Sequence, residues 1–452
     1  MDHGFPAVHW VLGLGGLPES RVAYVPHVSS YVARLPRAAV SLRGRTFRGR
    51  RVVVFALYGY FAALIAQGGH LAWEWFQVPA TTPSFLDLRS VTSGWVCTRK
   101  GVDVLIRNTC DPFPRPANYP RMWLWPSSLG LGQSSTLILG IVVAVAFFAG
   151  ALALMGHVEK PVDVLVWICL LVSPAVMLGV ERGNADLIVF PIVVAGVLLL
   201  RARGAVVRVV AHGALLFAAM LKLFPAFAFV TLFRQPRRRA LIGAGLVGLG
   251  FLIYALVTLN DIRTIHRVLP QKIYYSYGAD VGVRAATLWL SVHYASLRSL
   301  AQHNTEQIVN WSLVAVAVGV AALIARRWTP PSGDEQTVEM DAFVAGTAIY
   351  AGSFILEHNF DYRLVYLLLA VPQLLQWARR SRLAAVVLLT VMSTFWLSEV
   401  LSNGYWTQHY PLPYDEILNW ALFSVLLGMA WSAAMPRVTS LLHRNRPATA
   451  PA

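Results

Sequence analysis

The sequence contains little charge for its size. Only 13% of its 452 residues are charged, whereas 56% are hydrophobic, and a soluble domain usually carries about 25% charge. The hydrophobic residues are grouped into many runs, each close to the roughly 20 residues that cross a bilayer as a helix. These features exclude an ordinary soluble protein. They predict an all-α, polytopic membrane helical bundle that forms one integral domain over residues 52–436.

The sequence also lacks the short motifs of several enzyme classes. No Walker-type Gly-Lys-Ser, no HExxH and no GxSxG occurs, so nothing supports a nucleotidase, a zinc protease or a serine hydrolase. The 12 His residues are scattered, and no pair has a clear metal-ligand spacing. We therefore expect neither a metal site nor a cofactor.

The net charge of +16 does not indicate a nucleic-acid-binding protein, because no basic soluble recognition module accompanies it. The arginines lie mostly in short clusters between the hydrophobic runs, as they do in the cytoplasmic loops of membrane proteins. Residues 1–51 have no apolar core of the kind found in a cleavable signal peptide. We predict a basic cytoplasmic arm at 1–51 and a cytoplasmic tail at 437–452.

About 10–12 membrane segments are predicted, one of them irregular. Segment 209–233 is flanked by basic clusters, so the positive-inside rule requires it to leave and return to the cytoplasmic face. We predict a broken or re-entrant hairpin that turns between Lys222 and Pro225. The alternative is one tilted span that violates the charge rule. The ordinary spans are predicted at 52–67, 134–156, 162–180, 186–200, 240–259, 308–325, 341–356, 363–377, 384–401 and 417–436.

A large first outer loop, residues 68–133, is the part least typical of a membrane segment. Residues 85–98 are predicted to form an amphipathic helix at the interface, because their apolar side chains share one helical face. Asp87 lies at the start of this helix. Its carboxylate suits proton abstraction, but Ser84-x-x-Asp87 also fits a capping box, in which Asp87 would only cap the helix.

Two of the three cysteines, Cys97 and Cys110, lie in this same outer loop. An oxidising compartment permits a disulfide between them, which would close the loop. The alternative is a pair of free thiols.

Further polar groups are predicted to gather on the outer side. Ionisable side chains at membrane depth are costly and usually face an interior cavity. These side chains lie mainly in two short polar corners between hydrophobic runs, at residues 181–186 and 357–363. Each corner by itself fits a solvated loop with a helix cap, but several polar groups together predict a polar cavity near the outer leaflet. Its cations would suit an anionic head group, and its carboxylates would suit sugar hydroxyls. The candidate substrate-binding residues are Glu181, Arg182, Asn184, Asp186, Lys222, His358, Asn359, Asp361 and Arg363, with Glu357 beside them.

Several motifs together resemble one known family. An acid in the first outer loop, "NYP" late in that loop, Ser173-Pro174 before a polar corner, and "LKLFP" resemble the polyprenyl-phosphate-dependent GT-C glycosyltransferases. The closest resemblance is to glycosyltransferase family 87, a group of mannosyltransferase-like membrane proteins, and it runs across most of 52–436. The family often has Gly-Gln-Asn-like residues where this chain has Arg182-Gly183-Asn184.

The resemblance implies a GT-C type helical fold with a catalytic carboxylate in the first outer loop. Asp87 matches that position best, and Asp111 is the second candidate. Such enzymes move a sugar from a polyprenyl-phosphate donor to an acceptor hydroxyl and typically invert the anomeric centre. The implied partners are a polyprenyl-phosphate sugar (mannose-like or pentose), a glycolipid or glycan acceptor of the cell envelope, and membrane lipids. The implied location is a bacterial plasma membrane, with the active site on the noncytoplasmic face.

Two other functional classes fit the hydropathy pattern. A transporter or flippase of lipid-linked sugars would commonly show internal repeats with broken helices in matching positions. The segment 209–233 has no obvious counterpart of this kind in the rest of the chain. A noncatalytic partner in an envelope-building complex is the remaining alternative.

Overall fold

The computed structural model of this protein is almost entirely helical. It describes residues 46–67, 70–156, 158, 160–269, 275–294, 303–331, 337–356, 358–401 and 414–443. Most of the predicted arm, 1–45, and the end of the predicted tail, 444–452, lie outside the described residues. The first helix begins at Thr46, so the last residues assigned to the arm belong to it.

The described part of the chain contains sixteen α-helices, in the following order. They are α1 Thr46–Ala66, α2 His70–Trp75, α3 Leu86–Arg99, α4 Thr136–Leu154, α5 Pro161–Leu171, α6 Pro174–Arg182, α7 Asp186–Leu199, α8 Ala205–Leu221, α9 Arg237–Val257, α10 Leu259–Val268, α11 Ala279–His293, α12 His303–Arg327, α13 Val338–Leu356, α14 Val371–Ala378, α15 Arg382–Leu401 and α16 Tyr414–His443.

Three long 3₁₀ helices interrupt this pattern, at Arg121–Leu129, Phe224–Arg234 and Asp361–Leu369. Runs of 3₁₀ helix longer than three or four residues are uncommon. Two short strands, β1 Ser276–Tyr277 and β2 Asn359–Phe360, pair in antiparallel fashion. The strands and the 3₁₀ helices bring loop residues to one end of the bundle.

Five helices in the described residues are long and apolar enough to cross a membrane. A sixth span results if α5 and α6, which are bent by 44° at Ser173-Pro174, are counted as one. The predicted spans all contain helix, but several are too short or too broken to pass this test alone. The predicted span 363–377, for example, combines the 3₁₀ helix Asp361–Leu369 with α14. The chain is therefore a polytopic all-α membrane protein whose interior is built from interrupted helices.

The surface of the long helices is apolar. On α9, Leu246, Leu252 and Val257 are 69%, 54% and 80% exposed. A monomeric soluble protein rarely shows such continuous apolar surface, whereas it is expected where the surrounding solvent is hydrocarbon. The centre of the bundle is different. Most of α13 and of the 3₁₀ helix Asp361–Leu369 is buried, and polar side chains lie among the buried apolar ones.

Arginines that bind buried carboxylates define one end of the bundle, which we call the basic end. The carboxylate of Asp341, at the start of α13, accepts hydrogen bonds from Arg201 at 2.6 and 2.9 Å and from Arg234 at 2.7 Å. Arg379, after α14, forms an ion pair with Asp163 at 2.5 Å. These arginines were all predicted to lie on one side of the membrane. The structure places Arg201 and Arg234 at the same carboxylate.

This arrangement decides between the two predictions for residues 209–233. Arg201 precedes the segment and Arg234 follows it, yet both bind Asp341, so the segment leaves the basic end and returns to it. Between them, Lys222 reaches Asp186, at the opposite end of α7. A single tilted span is therefore wrong. The chain forms a hairpin whose tip is Lys222.

The return limb of this hairpin is short but stretched. It has 11 residues, and α7 beside it has 14. A 3₁₀ helix rises about 2.0 Å per residue, so the limb covers about 22 Å. An α-helix rises 1.5 Å per residue, which makes α7 about 21 Å long. The 3₁₀ geometry thus allows 11 residues to span the same depth as α7.

The outer loop folds onto α3 at the end opposite the basic end. Cys97 and Cys110 form a disulfide, with Cα atoms 5.8 Å apart. Val104, Leu105 and Ala117 pack with Cys97 into a small apolar cluster of their own. Residues 85–98 form a helix almost as predicted, and its predicted apolar face is buried: Leu88, Val91 and Trp95 are each at most 5% exposed.

Arg121 ties the outer loop to α10. Its guanidinium binds Asp103 and Asp261, each at 2.9 Å. The hydrogen bond from Arg121 holds the pKa of Asp103 below its usual value. The loop is therefore fastened at its outer edge as well as along α3.

Candidate active site

Four parts of the chain meet at the end of the bundle opposite Asp341. They are the first turn of α3, the corner between α6 and α7, the hairpin tip, and the start of the 3₁₀ helix Asp361–Leu369. Each part contributes side chains to one network of hydrogen bonds and ion pairs, which we call the polar network. It consists of Asp87, Asn184, Asp186, Lys222, Asn359, Arg363 and Tyr366.

Gly183 brings the α6–α7 corner against α3. It follows the last residue of α6 with φ +59°, a left-handed conformation that favours glycine. A Cβ at this position would lie 3.0 Å from the Cβ of Leu88 and 3.2 Å from that of Phe85. Only glycine satisfies both requirements. The close approach places Asn184 directly opposite the first turn of α3.

Asp87 is anchored through one oxygen only. Its Oδ2 accepts a hydrogen bond of 2.6 Å from Nδ2 of Asn184, and its Oδ1 accepts none from any residue that the structure describes. The side chain is partly exposed. Phe85, with a left-handed backbone, occupies the N-cap position of α3, and no side chain caps the helix. The capping-box interpretation of Ser84 and Asp87 is therefore wrong.

Asp186 is the buried centre of the polar network. It is fully buried, and its Oδ2 lies 2.8 Å from Nζ of Lys222 and 3.6 Å from Nε of Arg363. Its Oδ1 accepts a hydrogen bond of 3.2 Å from the hydroxyl of Tyr366. Two cations thus share one buried carboxylate. The three side chains together carry one excess positive charge.

Asn184 joins the carboxylate of Asp87 to the ammonium group of Lys222. While its Nδ2 holds Asp87, its Oδ1 accepts hydrogen bonds from the backbone N–H of Asp186 at 2.9 Å and from Lys222 Nζ at 3.4 Å. An amide supplies both a donor and an acceptor, so Asn184 can bind a carboxylate and an ammonium group at once. A residue with only one of these functions could not link them.

The corner at 358–363 contributes Asn359 and Arg363. Nη1 of Arg363 donates to Oδ1 of Asn359, whose Nδ2 donates to the carbonyl oxygen of Ser353 at 2.8 Å. The strand pairing of Tyr277 with Asn359 fixes the backbone here. The guanidinium of Arg363 also lies 4.1 Å from the ring centroid of Phe224, a cation–π contact.

His358 and Asp361 from the same corner lie outside the polar network. His358 is 3.6 Å from Asp280, and Asp361 is fully buried with its backbone N–H bonded to the carbonyl of Tyr275. Glu357, which was grouped with them in the sequence, lies outside the described residues.

Glu181 and Arg182 form a wall beside the network. Glu181 is buried, accepts hydrogen bonds from the backbone N–H and the hydroxyl of Thr81 at 2.7 and 2.9 Å, and pairs with Arg182 at 3.1 Å. Arg182 donates to the carbonyl of Pro79. The two residues therefore hold the segment that leads into α3.

Asp111 has a different environment from Asp87. It is 3% exposed, and both of its oxygens are engaged: Oδ1 accepts from the N–H of Phe113 and Oδ2 from Arg115 at 2.9 Å. The same nitrogen of Arg115 donates to the carbonyl of Leu86, also at 2.9 Å. Asp111 thus orients an arginine that holds the backbone immediately before Asp87.

Aromatic residues of the site were not predicted as site residues, although two of them lie in the quoted motifs "NYP" and "LKLFP". Tyr366 follows Arg363 by three residues, and in a 3₁₀ helix such residues lie on the same side. Residues three apart are also neighbours on one face of an α-helix, so this relationship could have been found from the sequence. Phe224 could have been recognised as the residue before the breaking Pro225. Tyr119 lies in the "NYP" motif, 5.5 Å from Lys222 Nζ to the ring centroid.

The arrangement combines a proton acceptor with an anion-binding pair. Asp87 offers an open oxygen for a proton, and Lys222 and Arg363 carry more positive charge than Asp186 neutralises. Among the described residues, no three His, Cys, Asp or Glu side chains are placed to share a metal ion. A site of this kind can deprotonate a hydroxyl beside a bound anion.

Comparison with known proteins agrees with this chemistry. No curated protein and no solved structure matches the chain significantly. The model of one family, glycosyltransferase family 87, matches residues 122–355. The matched range contains Asn184, Asp186 and Lys222, whereas Asp87 precedes it and Arg363 follows it. Because the match covers more than half of the chain, this protein belongs to glycosyltransferase family 87 and is a membrane glycosyltransferase.

Proposed function

We propose that this glycosyltransferase transfers a sugar from a polyprenyl-phosphate donor to a hydroxyl group of a cell-envelope glycolipid or glycan. The observation that carries the proposal is the position of Asp87: one oxygen is held by Asn184 and the other is open, in a network that also contains two cations. A base and an anion-binding pair are the two functions that this transfer requires.

The reaction is a single displacement. Oδ1 of Asp87 takes the proton of the acceptor hydroxyl as its oxygen forms a bond to the anomeric carbon of the donor sugar. The bond between that carbon and the phosphate oxygen breaks, and its electron pair stays on the phosphate. Attack from the face opposite the leaving group inverts the anomeric centre.

Lys222 and Arg363 stabilise the leaving group. The polyprenyl phosphate gains one negative charge as the anomeric bond breaks, and the pair of cations exceeds the charge of Asp186 by one. Preorganised charges aimed at developing negative charge are often the largest catalytic contribution. Asp186 and Tyr366 fix the two cations in advance, so little reorganisation accompanies the reaction.

Asp186 is unsuited to act as the base itself. It is fully buried, and both of its oxygens are engaged by Lys222 and Tyr366. Both oxygens of Asp111 likewise already accept hydrogen bonds. Glu181 is buried as well, so Asp87 alone of these four carboxylates combines exposure with an open oxygen.

The active site is assigned to the noncytoplasmic face of a bacterial plasma membrane. Arg201, Arg234 and Arg379 lie at the basic end, and cytoplasmic loops are enriched in Arg and Lys. Asp87 lies at the opposite end of α7. A mannose-like or pentose sugar is the donor class suggested by the resemblance to mannosyltransferase-like proteins.

The test is transfer by the purified protein in liposomes, using a panel of polyprenyl-phosphate sugars and a glycolipid acceptor. Asp87→Asn should remain folded and lose activity by about 10²- to 10⁴-fold, the usual contribution of a general base. Asp103→Asn, in the same loop but outside the network, serves as the matched control and should remain active. Full activity of Asp87→Asn would overturn the assignment of the base.

A further inference from the structure

Tyr119 lies at the edge of the polar network but forms no part of its hydrogen bonds. It is 8% exposed, and its ring centroid lies 5.6 Å from that of Trp123 and 5.5 Å from Nζ of Lys222. The indole N–H of Trp123 in turn donates to the carbonyl of Leu221 at 3.0 Å, immediately before Lys222. Trp123 therefore fixes the ring of Tyr119 relative to the hairpin tip.

The hydroxyl of Tyr119 donates to no residue in the described part of the chain. Although the residue is only 8% exposed, its hydroxyl oxygen is not one of the fully enclosed, unpaired polar atoms of the described residues, so a ligand can reach it. Asp87 and Asp186 are close enough for their charges to act on Tyr119. They nevertheless take their hydrogen bonds from Asn184, Lys222 and Tyr366. The ring is held so that its hydroxyl serves neither carboxylate.

The hydroxyl is also a permanent donor. Burial, and then the negative charge of Asp87, raise the pKa of Tyr119 well above its ordinary value. The phenol therefore keeps its proton over the whole range in which a membrane enzyme works. It can donate to an anionic oxygen without adding another charge to a site that already contains two carboxylates and two cations.

We propose that Tyr119 binds the phosphate of the lipid ligand by donating a hydrogen bond from its hydroxyl to a phosphoryl oxygen. The inference rests on the proposed function for the identity of this ligand as a prenyl phosphate. An anionic oxygen attracted by Lys222 and Arg363 comes next to the ring that Lys222 contacts. Tyr119 then completes a binding site of two cations and one neutral donor.

A conservative substitution separates the hydroxyl from the ring. Tyr119→Phe keeps the packing on Trp123 and the cation–π contact with Lys222, and removes only the donor. A matched control is Tyr60→Phe in α1. The hydroxyl of Tyr60 likewise bonds to no described residue, but it is fully enclosed and its ring packs on Phe61 and Phe76.

The experiment measures binding of farnesyl phosphate and of farnesol to the purified full-length protein in detergent. Removal of a hydrogen bond to a charged group should weaken farnesyl phosphate binding to Tyr119→Phe about tenfold or more. Binding of farnesol, which lacks the phosphate, should not change. Tyr60→Phe should bind both probes like the wild-type protein.

Two results would overturn the inference. One is equal farnesyl phosphate binding by the wild-type protein and Tyr119→Phe. The other is a wild-type protein that does not prefer farnesyl phosphate to farnesol. Because binding is measured without sugar transfer, a wild-type protein that binds farnesyl phosphate through Tyr119 but transfers no sugar would refute the proposed activity and leave the phosphate site standing.

Discussion

Nδ2 of Asn184 donates a hydrogen bond of 2.6 Å to Oδ2 of Asp87, across 97 residues of sequence. The contact exists because Gly183 allows the α6–α7 corner to approach α3 more closely than any other residue would. It joins the candidate base to the part of the chain that carries Asp186 and Lys222. The two halves of the proposed reaction, deprotonation and anion binding, are thereby held in one network.

Replacement of Asn184 by Asp should slow the reaction without unfolding the protein. The new carboxylate still accepts from the N–H of Asp186 and from Lys222, but it no longer donates to Asp87. Loss of a hydrogen bond to a charged group should lower kcat by about 10- to 100-fold. An unchanged kcat would contradict the proposed role of Asp87.

Substitution of Asp111 tests the second candidate for the base. Asp111→Asn breaks the ion pair between the buried Asp111 carboxylate and the partly exposed Arg115, which should cost about 1–3 kcal/mol of stability. Activity should therefore fall on heating but recover at low temperature, where the fold is retained. If Asp111 is instead the base, activity should be absent at every temperature. Thermal unfolding and transfer assays on the same preparation distinguish the two.

The Asp186–Lys222 pair can be tested by a double-mutant cycle. Lys222→Met leaves the buried carboxylate of Asp186 with one cation fewer and should destabilise the protein by about 3–5 kcal/mol. The double variant Lys222→Met/Asp186→Leu should recover much of this loss, because neither charge is left unpaired. Neither variant should transfer sugar, since the leaving phosphate has lost a cation. Restored transfer in the double variant would exclude a catalytic role for Lys222.

The hairpin topology predicts a labelling pattern. Arg203 and Arg237 are exposed and flank the hairpin at the basic end, whereas Ser128 is exposed in the outer loop. In a Cys169→Ser background, single cysteines at 203 and 237 should resist an impermeant maleimide added outside intact cells. A cysteine at 128 should react. If the maleimide labelled one of the cysteines at 203 and 237 but not the other, the two positions would lie on different sides of the membrane and the hairpin would be contradicted.

The disulfide should matter for both stability and activity. Cys97 and Cys110 are separated by 13 residues, and closing a loop of this size contributes about 3 kcal/mol in the chain-entropy model. Asp111 follows Cys110 directly and orients Arg115 toward the backbone before Asp87. Cys97→Ser/Cys110→Ser should therefore lower the Tm and kcat together. A variant with lowered Tm but unchanged kcat below its Tm would separate the disulfide from the site.

Hydropathy was sufficient to predict the helical membrane class, because the cost of burying polar backbone in hydrocarbon leaves a hydrophobic run few alternatives to a helix. Charge spacing was sufficient to predict the hairpin at 209–233, because Arg201 and Arg234 both remain at the basic end. The 3₁₀ helices could not be predicted in this way. Their tighter winding lets a short segment span the depth of a longer α-helix, as Phe224–Arg234 does beside α7, and hydropathy does not report it.

The individual residue types at the site were visible in the sequence, but their partners were not. The sequence alone allowed Asp87 to be a helix cap. The structure instead has Phe85 at the N-cap position and Asn184 bound to the Asp87 carboxylate. Glu181 and Arg182 read as possible substrate ligands, and the structure pairs them with each other and with Thr81 and Pro79. Local sequence can suggest the pair of neighbours Glu181 and Arg182, but not the other contacts, since those partners lie about 100 residues away.

The sequence by itself determined that the protein lies in a membrane, that it is helical, that its arginines gather at one end, and which polar residues are available for chemistry. Each follows from local quantities: hydrophobicity, the spacing of arginines, and residue type. The tertiary structure alone decided which carboxylate is open and which is saturated. Asp87, Asp111 and Asp186 have the same side chain, and only the donors brought to them by distant elements make one of them a candidate base and the other two structural.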